Sequence, residues 1–233
     1  MTPFIRGMVA ATVESFRLPG PIVEIGSYQV PGQAELINLR QFFPDQHYLG
    51  IDMRPGPGVD RVEDVECLTL PDRCAGTVFA LSTFEHVRHF WRGVEEVKRI
   101  THPEGVLIVS CPFYFHIHNH PSDYWRFTPE ALDSLLEDEF PQRILGWQGP
   151  AKRPSNVWAV AFGSAYEQIS PAQMEGYSQA LRKHAHSPSE PSRTIRYTLA
   201  RLFCGKGPFS PHLERDSFAL ELRTGKIAVQ QAA

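Results

Sequence analysis

Short apolar runs alternate along this chain with stretches of helical periodicity, and that alternation constrains the fold more than any other feature. Apolar runs of this length bounded by turn residues read as buried strands. They occur at 22–26, 48–52, 77–81 and, most clearly, 106–110, and a short third strand fits inside 59–65. Phe4, Ile5, Met8, Val9, Val13 and Phe16 recur at helical spacing until Pro and Gly at 18–21 break the pattern. Leu36, Leu39 and Phe43 share a helical face after Gly32, and Val94, Val97 and Ile100 share another. The HPEG turn at 102–105 is expected to stop that second helix. Thr128 as N-cap and Pro129 at the first helical position predict a helix carrying Leu132, Leu135 and Leu136 to about residue 140. Two last strands, near 143–147 and 157–162, have only a loop between them and fit a terminal hairpin with an antiparallel strand. The expected fold class is α/β: a doubly wound sheet of about seven strands, mostly parallel, with a C-terminal antiparallel strand. Beyond Gly163 the pattern changes, and HSPSEPS at 186–192 reads as a linker between two weaker helical stretches. The expected division is a domain over 1–163 and a C-terminal helical extension over 164–233.

Hydrophobic residues make up 42% of the 233, enough for a real core, and the net charge is −3. That balance argues against a nucleic-acid partner by bulk electrostatics. No apolar run approaches the roughly 18 residues of a membrane span, and the N-terminus lacks the pattern of a signal peptide. Cys67, Cys74, Cys111 and Cys204 form no CxxC pair and match no zinc module. Free thiols in a reduced, cytoplasmic setting are the expectation.

In a doubly wound sheet, ligands bind beyond the carboxyl ends of the strands, near the switch in strand order. The first strand here ends in EIGSYQVPGQ. Gly26 lets the backbone approach a ligand closely, and the helix expected after Gly32 offers its N-terminus to a carboxylate. Asp52 ends the second strand, where an acid can accept hydrogen bonds from both ribose hydroxyls. Met53 follows and could pack on an adenine face. Asp64 could meet an adenine amino group, or be a surface acid.

The ordered segments VEIGS with a later PGQ, YLGIDMRPGPGVD, LSTFEHV, HPEGVLIVSCPF and DYWRFTPEAL together resemble class I S-adenosylmethionine-dependent methyltransferases over about residues 20–163. The likeness is to a bacterial branch in which GS-x4-G replaces G-x-G-x-G, and THPEG stands where the family has a further glycine. The resemblance implies a Rossmann-like domain and S-adenosylmethionine as cofactor. It implies that Glu24, Gly26, Ser27 and Gly32 surround the methionine part. Asp52 would hold the ribose, Met53 would touch adenine, and Asp64 with Val65 would lie at the adenine edge. Leu81 and Ser82 would pass under the sulfonium.

Methyl transfer from a sulfonium is an in-line displacement, so the enzyme mainly positions the acceptor, with a base where the acceptor carries a proton. The candidate bases follow the fourth and fifth strands: His86, His116, His118, His120 and Asp123. Glu85 and His86 could instead anchor the next helix. A similar Glu-His pair binds a divalent ion in ubiquinone-pathway methyltransferases together with an earlier glutamate, but Ser82 occupies that earlier place. His116, His118 and His120 could share one face of an extended segment and bind zinc or iron, but Asn119-His120-Pro121 is expected to turn the chain, and no metal is expected. Tyr124 and Trp125 could wall an acceptor and Arg126 could bind its carboxylate or phosphate, or the segment could pack the loop under the Thr128 helix. The extension, with Arg193, Arg196, Arg201 and Lys206 beside Ile195, Leu199 and Leu202, could cover the pocket, form a homodimer, touch a membrane surface or pack on the domain.

The expected activity is methyl transfer to an oxygen or nitrogen of a small molecule, sugar or secondary metabolite. The competing readings are a non-catalytic scaffold that keeps the fold and, on weak glycine spacing, a nicotinamide-dependent oxidoreductase.

Overall fold

The computed structural model describes residues 1–118, 121–186, 191–204 and 216–225. Helix α1 (Pro3–Ser15) is capped by the Thr2 side chain and has Pro3 in its first turn. Strand β1 (Ile22–Ile25) is buried along its whole length. The helix expected after Gly32 is only one turn, α2 (Ala34–Ile37), followed by a 3-10 turn at Arg40–Phe42. The apolar periodicity there is real, because Leu39 and Phe43 are buried, but the two turns carry it in place of one helix. Strands β2 (Tyr48–Asp52), β3 (Arg61–Val62) and β4 (Ala75–Leu81) follow, then α3 (Phe90–Ile100).

Strand β5 (Thr101–Pro112) begins directly at the end of α3. The HPEG segment is therefore a bulge within β5 and not a turn ahead of it. Ala75 pairs with Thr101 and Thr77 with Val106, so β5 carries extra residues opposite β4. Next come α4 (Pro129–Leu136), capped by Thr128, and the hairpin β6 (Gln142–Gln148) and β7 (Asn156–Phe162). The stretch after 163 contains α5 (Pro171–His184), α6 (Pro191–Cys204) and a strand, β8 (Phe218–Thr224). It is thus not helical throughout. Of the expected linker, 187–190 lie outside the described residues, as do Lys206 and His120.

The sheet has eight strands in the order β3-β2-β1-β4-β5-β7-β6-β8. From β3 to β5 every pairing is parallel; β7 runs antiparallel between β5 and β6, and β8 adds an antiparallel edge strand to β6. The eighth strand is the one the sequence pattern did not suggest.

Side-chain alternation splits the core between the two faces. Ile108, Trp158, Val160 and Phe162 pack with Phe4, Met8 and Val9 of α1 and Tyr177 and Leu181 of α5. Leu107, Val109, Val157 and Ala159 pack with Val94 and Val97 of α3 and Leu132 and Leu136 of α4. Helices α1 and α5 touch closely: a Cβ on Gly7 would lie 2.1 Å from the His184 carbonyl oxygen. Beneath α4, Arg143 of β6 donates from Nε to Asp133 Oδ1 at 2.6 Å, with both side chains buried. No helix among the described residues is long and apolar enough to cross a membrane.

Candidate active site

Chain order runs outward in one direction from β1 to β2 and β3, and in the other from β4 to β5. The switch therefore lies between β1 and β4, and a crevice opens beyond their carboxyl ends. A cleft of about 630 Å³ occupies that position, lined by residues following β1, β2, β4 and β5. Its volume is in the range of small-ligand sites.

The donor side starts at Gly26, whose φ of +78° suits glycine. A Cβ there would also meet Thr83 Oγ1 at 2.5 Å, so the turns after β1 and β4 touch through this glycine. Glu24 lines the cleft and accepts a 2.6 Å hydrogen bond from the Tyr48 hydroxyl. Burial pushes its carboxyl up to about 7, against the pull of that hydrogen bond. Asp52 is 9% exposed and accepts from the backbone N–H groups of Tyr28 at 3.3 Å and Arg54 at 3.0 Å. The Arg54 guanidinium lies 4.7 Å over the Tyr28 ring. Tyr28 and Arg54 thus hold the end of β2, a part that sequence reading missed because neither belongs to a recognisable spacing.

Met53 is 57% exposed and lines the cleft with Asp64, Val65 and Leu81. Asp64 spends Oδ1 on the Glu66 N–H at 2.9 Å, capping the 3-10 turn Val65–Cys67. Ser82 also lines the cleft, with φ of +51°. That conformation is uncommon for a residue other than glycine and tends to occur at functional turns. Ser27 does not line the cleft: it is buried, its hydroxyl oxygen lies toward β2, 2.8 Å from where a Cβ on Gly50 would stand, and that oxygen is unpartnered among the described residues. Gly32 does not join this group. It is exposed, with nothing within 4 Å of its would-be Cβ, because the chain leaves the cleft at Val30 and re-enters it at Gln33. The one-turn α2 is likewise too short to be the expected anion-binding helix terminus.

On the acceptor side, His86, His116 and His118 all line the cleft, as does Tyr124. His86 Nδ1 lies 2.5 Å from the Ser122 carbonyl oxygen, so that nitrogen donates and the tautomer is set. The His86 and His118 rings meet edge to face at 4.8 Å, and His116 stacks against Phe115 at 4.2 Å.

Asp123, Trp125 and Arg126 serve the loop. The Asp123 side chain is 1% exposed and pairs with both terminal nitrogens of Arg126. It also accepts from the His118 backbone N–H at 3.0 Å. The Arg126 fork holds its carboxyl well below the usual range, which suits a fixed anion and not a base. Arg126 is correspondingly occupied and does not reach for an acceptor. The Trp125 indole N–H donates to the Val87 carbonyl at 3.0 Å and its ring packs on Phe90, so it ties the loop to the start of α3. Of the expected acceptor contacts Tyr124, Trp125 and Arg126, only Tyr124 lines the cleft.

Glu85 is the residue whose importance the sequence did not reveal. It sits in the 3-10 turn Phe84–His86 and is fully buried, yet borders the cleft. Neither carboxylate oxygen makes a well-formed hydrogen bond among the described residues. Burial raises its carboxyl to about 8. Its only sequence signal was the Glu-His pair, which has the same appearance in an ordinary helix start.

A nucleoside attached to a cationic sulfonium fits this donor side. The carboxylates of Glu24 and Asp52 face one cleft from neighbouring strands, and a glycine turn leaves room beside them. Residues 35–109 match the model of a methyltransferase domain family. No curated protein matches the chain in sequence. Among solved structures, an S-adenosylmethionine-dependent methyltransferase from Archaeoglobus fulgidus is similar with a TM-score of 0.53 and 13% identity, covering 68% of this chain and 92% of that one. A 1,6-didemethyltoxoflavin-N1-methyltransferase from Burkholderia thailandensis, solved with 1,6-didemethyltoxoflavin and S-adenosylhomocysteine bound, is similar with a TM-score of 0.51 and 12% identity, covering 70% and 78%. Residues 35–109 thus carry a methyltransferase-domain pattern, and the two structures share the fold of this chain.

Proposed function

We propose that the chain methylates an oxygen or nitrogen of a small acceptor, such as a sugar or secondary metabolite. The observation that carries this reading is the single cleft in which Glu24 and Asp52 on one side meet His86, His116, His118 and Tyr124 on the other. A volume of about 630 Å³ shared by donor and acceptor suits a small molecule better than a polymer segment. The Burkholderia enzyme, with 1,6-didemethyltoxoflavin and S-adenosylhomocysteine bound together, is a precedent for that arrangement.

In this reading Asp52 accepts from the ribose hydroxyls, Met53 covers the adenine, and Asp64 with Val65 borders its edge. Glu24 and Gly26 border the methionine part, with Ser27 behind the turn, and Leu81 and Ser82 pass below the sulfonium. When bound, the cofactor supplies the electrophilic methyl group. The histidine wall orients the acceptor and takes up its proton, while Tyr124 packs against it. The described cysteines, Cys67, Cys74 and Cys111, are free thiols, which agrees with a reducing cytoplasmic setting.

Calorimetric titration with S-adenosylmethionine and S-adenosylhomocysteine tests the donor side. Asp52→Ala is expected to weaken both by tenfold or more, about 1.4 kcal/mol, with the circular dichroism spectrum unchanged. Unaltered affinity would remove Asp52 from the site. Release of S-adenosylhomocysteine across a panel of hydroxylated and amine acceptors then identifies the acceptor class.

A further inference from the structure

Three potential ligands for a cation meet at the inner end of the cleft. Glu85 and His86 come from the turn after β4, and His118 comes from the loop after β5. One ligand atom from each lies within 4.8 Å of the others. His86 Nε2 and Glu85 Oε1 are 3.8 Å apart. Two tetrahedral ligands at ~2.1 Å from one ion are separated by about 3.4 Å, so modest side-chain adjustment closes the set.

Two further features point to an occupant. The fully buried Glu85 carboxylate borders the cleft and makes no well-formed hydrogen bond among the described residues, with the Cys111 thiol and the Met1 ammonium interacting with it from the protein side. Buried polar groups in native proteins are satisfied by protein, water or an ion. Both imidazoles are also held from behind. His86 Nδ1 bonds the Ser122 carbonyl, and His118 is held by its backbone N–H on Asp123 Oδ2, which also lies 3.0 Å from its Nδ1 as an ion-pair contact and is itself gripped by Arg126. A carboxylate or carbonyl on one ring nitrogen, with the other nitrogen directed at an ion, is the usual support of metal-binding histidines.

We propose that Glu85, His86 and His118 bind one divalent first-row transition ion such as Zn²⁺, with an open coordination position facing the acceptor half of the cleft. Two imidazoles and one carboxylate suit Zn²⁺ and its neighbours, whereas Ca²⁺ and Mg²⁺ prefer an all-oxygen shell. Ser82 does not need to supply an acid, because His118 completes the set from the loop after β5. The role of the ion rests on the acceptor reading above. An acceptor oxygen at the open position would be fixed near the methyl group and would lose its proton more readily, with His116, the described cleft histidine outside the ligand set, left to take it. The site therefore favours acceptors that offer an oxygen.

The test is calorimetric titration of the full, chelator-stripped chain with ZnCl₂, alongside titration with S-adenosylhomocysteine. The expected result is one Zn²⁺ per chain. Affinity should fall at least tenfold in Glu85→Gln, His86→Ala and His118→Ala, and about tenfold in Asp123→Asn. His47→Ala, at the exposed start of β2, should bind Zn²⁺ as the unsubstituted chain does. Retained S-adenosylhomocysteine binding shows that each variant is folded; Glu85→Asp replaces Glu85→Gln if the latter is not. Absence of Zn²⁺ binding, or binding unaffected by Glu85→Gln and His118→Ala, overturns the site. If S-adenosylhomocysteine still binds in that case, the methyltransferase reading stands without the metal. Zn²⁺ binding without S-adenosylhomocysteine binding would have the opposite meaning.

Discussion

Glu24 illustrates how one side chain can link ligand binding to folding. Its carboxyl titrates near 7 because it is buried, while an unfolded glutamate titrates near 4.3. The folded state therefore binds the proton more tightly than the unfolded state. This contribution to stability is fully present below about pH 4.3 and is lost as pH rises through about 7. In urea denaturation, the stability of the unsubstituted chain relative to Glu24→Gln should fall by roughly 2–3 kcal/mol from pH 5 to pH 8. Glutamine can still accept from the Tyr48 hydroxyl, so the comparison isolates the charge. A flat difference across that range would show that Glu24 is better hydrated than its surroundings suggest. In the proposed function, the ionised form of Glu24 would face the cationic sulfonium across the cleft.

Between elements, close approach and paired charge decide stability. Helices α1 and α5 meet at Gly7 with no room for a side chain. Gly7→Val should cost about 2 kcal/mol by forcing the helices apart, read as a lower denaturation midpoint. Larger loss is expected from Asp133→Ala. It strips the buried Arg143 of its carboxylate and leaves that guanidinium the Phe140 and Gly225 carbonyls. Breaking a buried pair from one side costs about 3–5 kcal/mol. Because this pair joins α4 to β6, away from the cleft, the fraction that remains folded should still bind S-adenosylhomocysteine. A ΔΔG under 1 kcal/mol would mean that water reaches the pair.

At the scale of the whole molecule, the sheet order separates two tasks. In the proposed function, the donor meets residues after β1, β2 and β3 with Leu81 and Ser82 beneath it, and the acceptor meets His86 after β4 and the loop after β5. His86→Ala should accordingly leave S-adenosylhomocysteine affinity within about threefold while lowering turnover by about 10²-fold or more once an acceptor is known. Parallel loss of affinity would mean that the two halves of the cleft are not separable.

The sequence by itself determined the alternating strands and helices, because a buried strand needs an apolar run and a packed helix needs a 3.6-residue period. It also determined Gly26, Asp52 and the Thr128 cap, whose chemistry is local. Only the tertiary structure decided what the long loop does. It turned Asp123, Trp125 and Arg126 to bracing the loop, left Gly32 outside the cleft, and drew 218–224 onto the edge of the sheet. It also brought His118 beside Glu85 and His86. Those outcomes depend on contacts between residues far apart in the chain, and side-chain pairing across such distances leaves no periodic trace in the sequence.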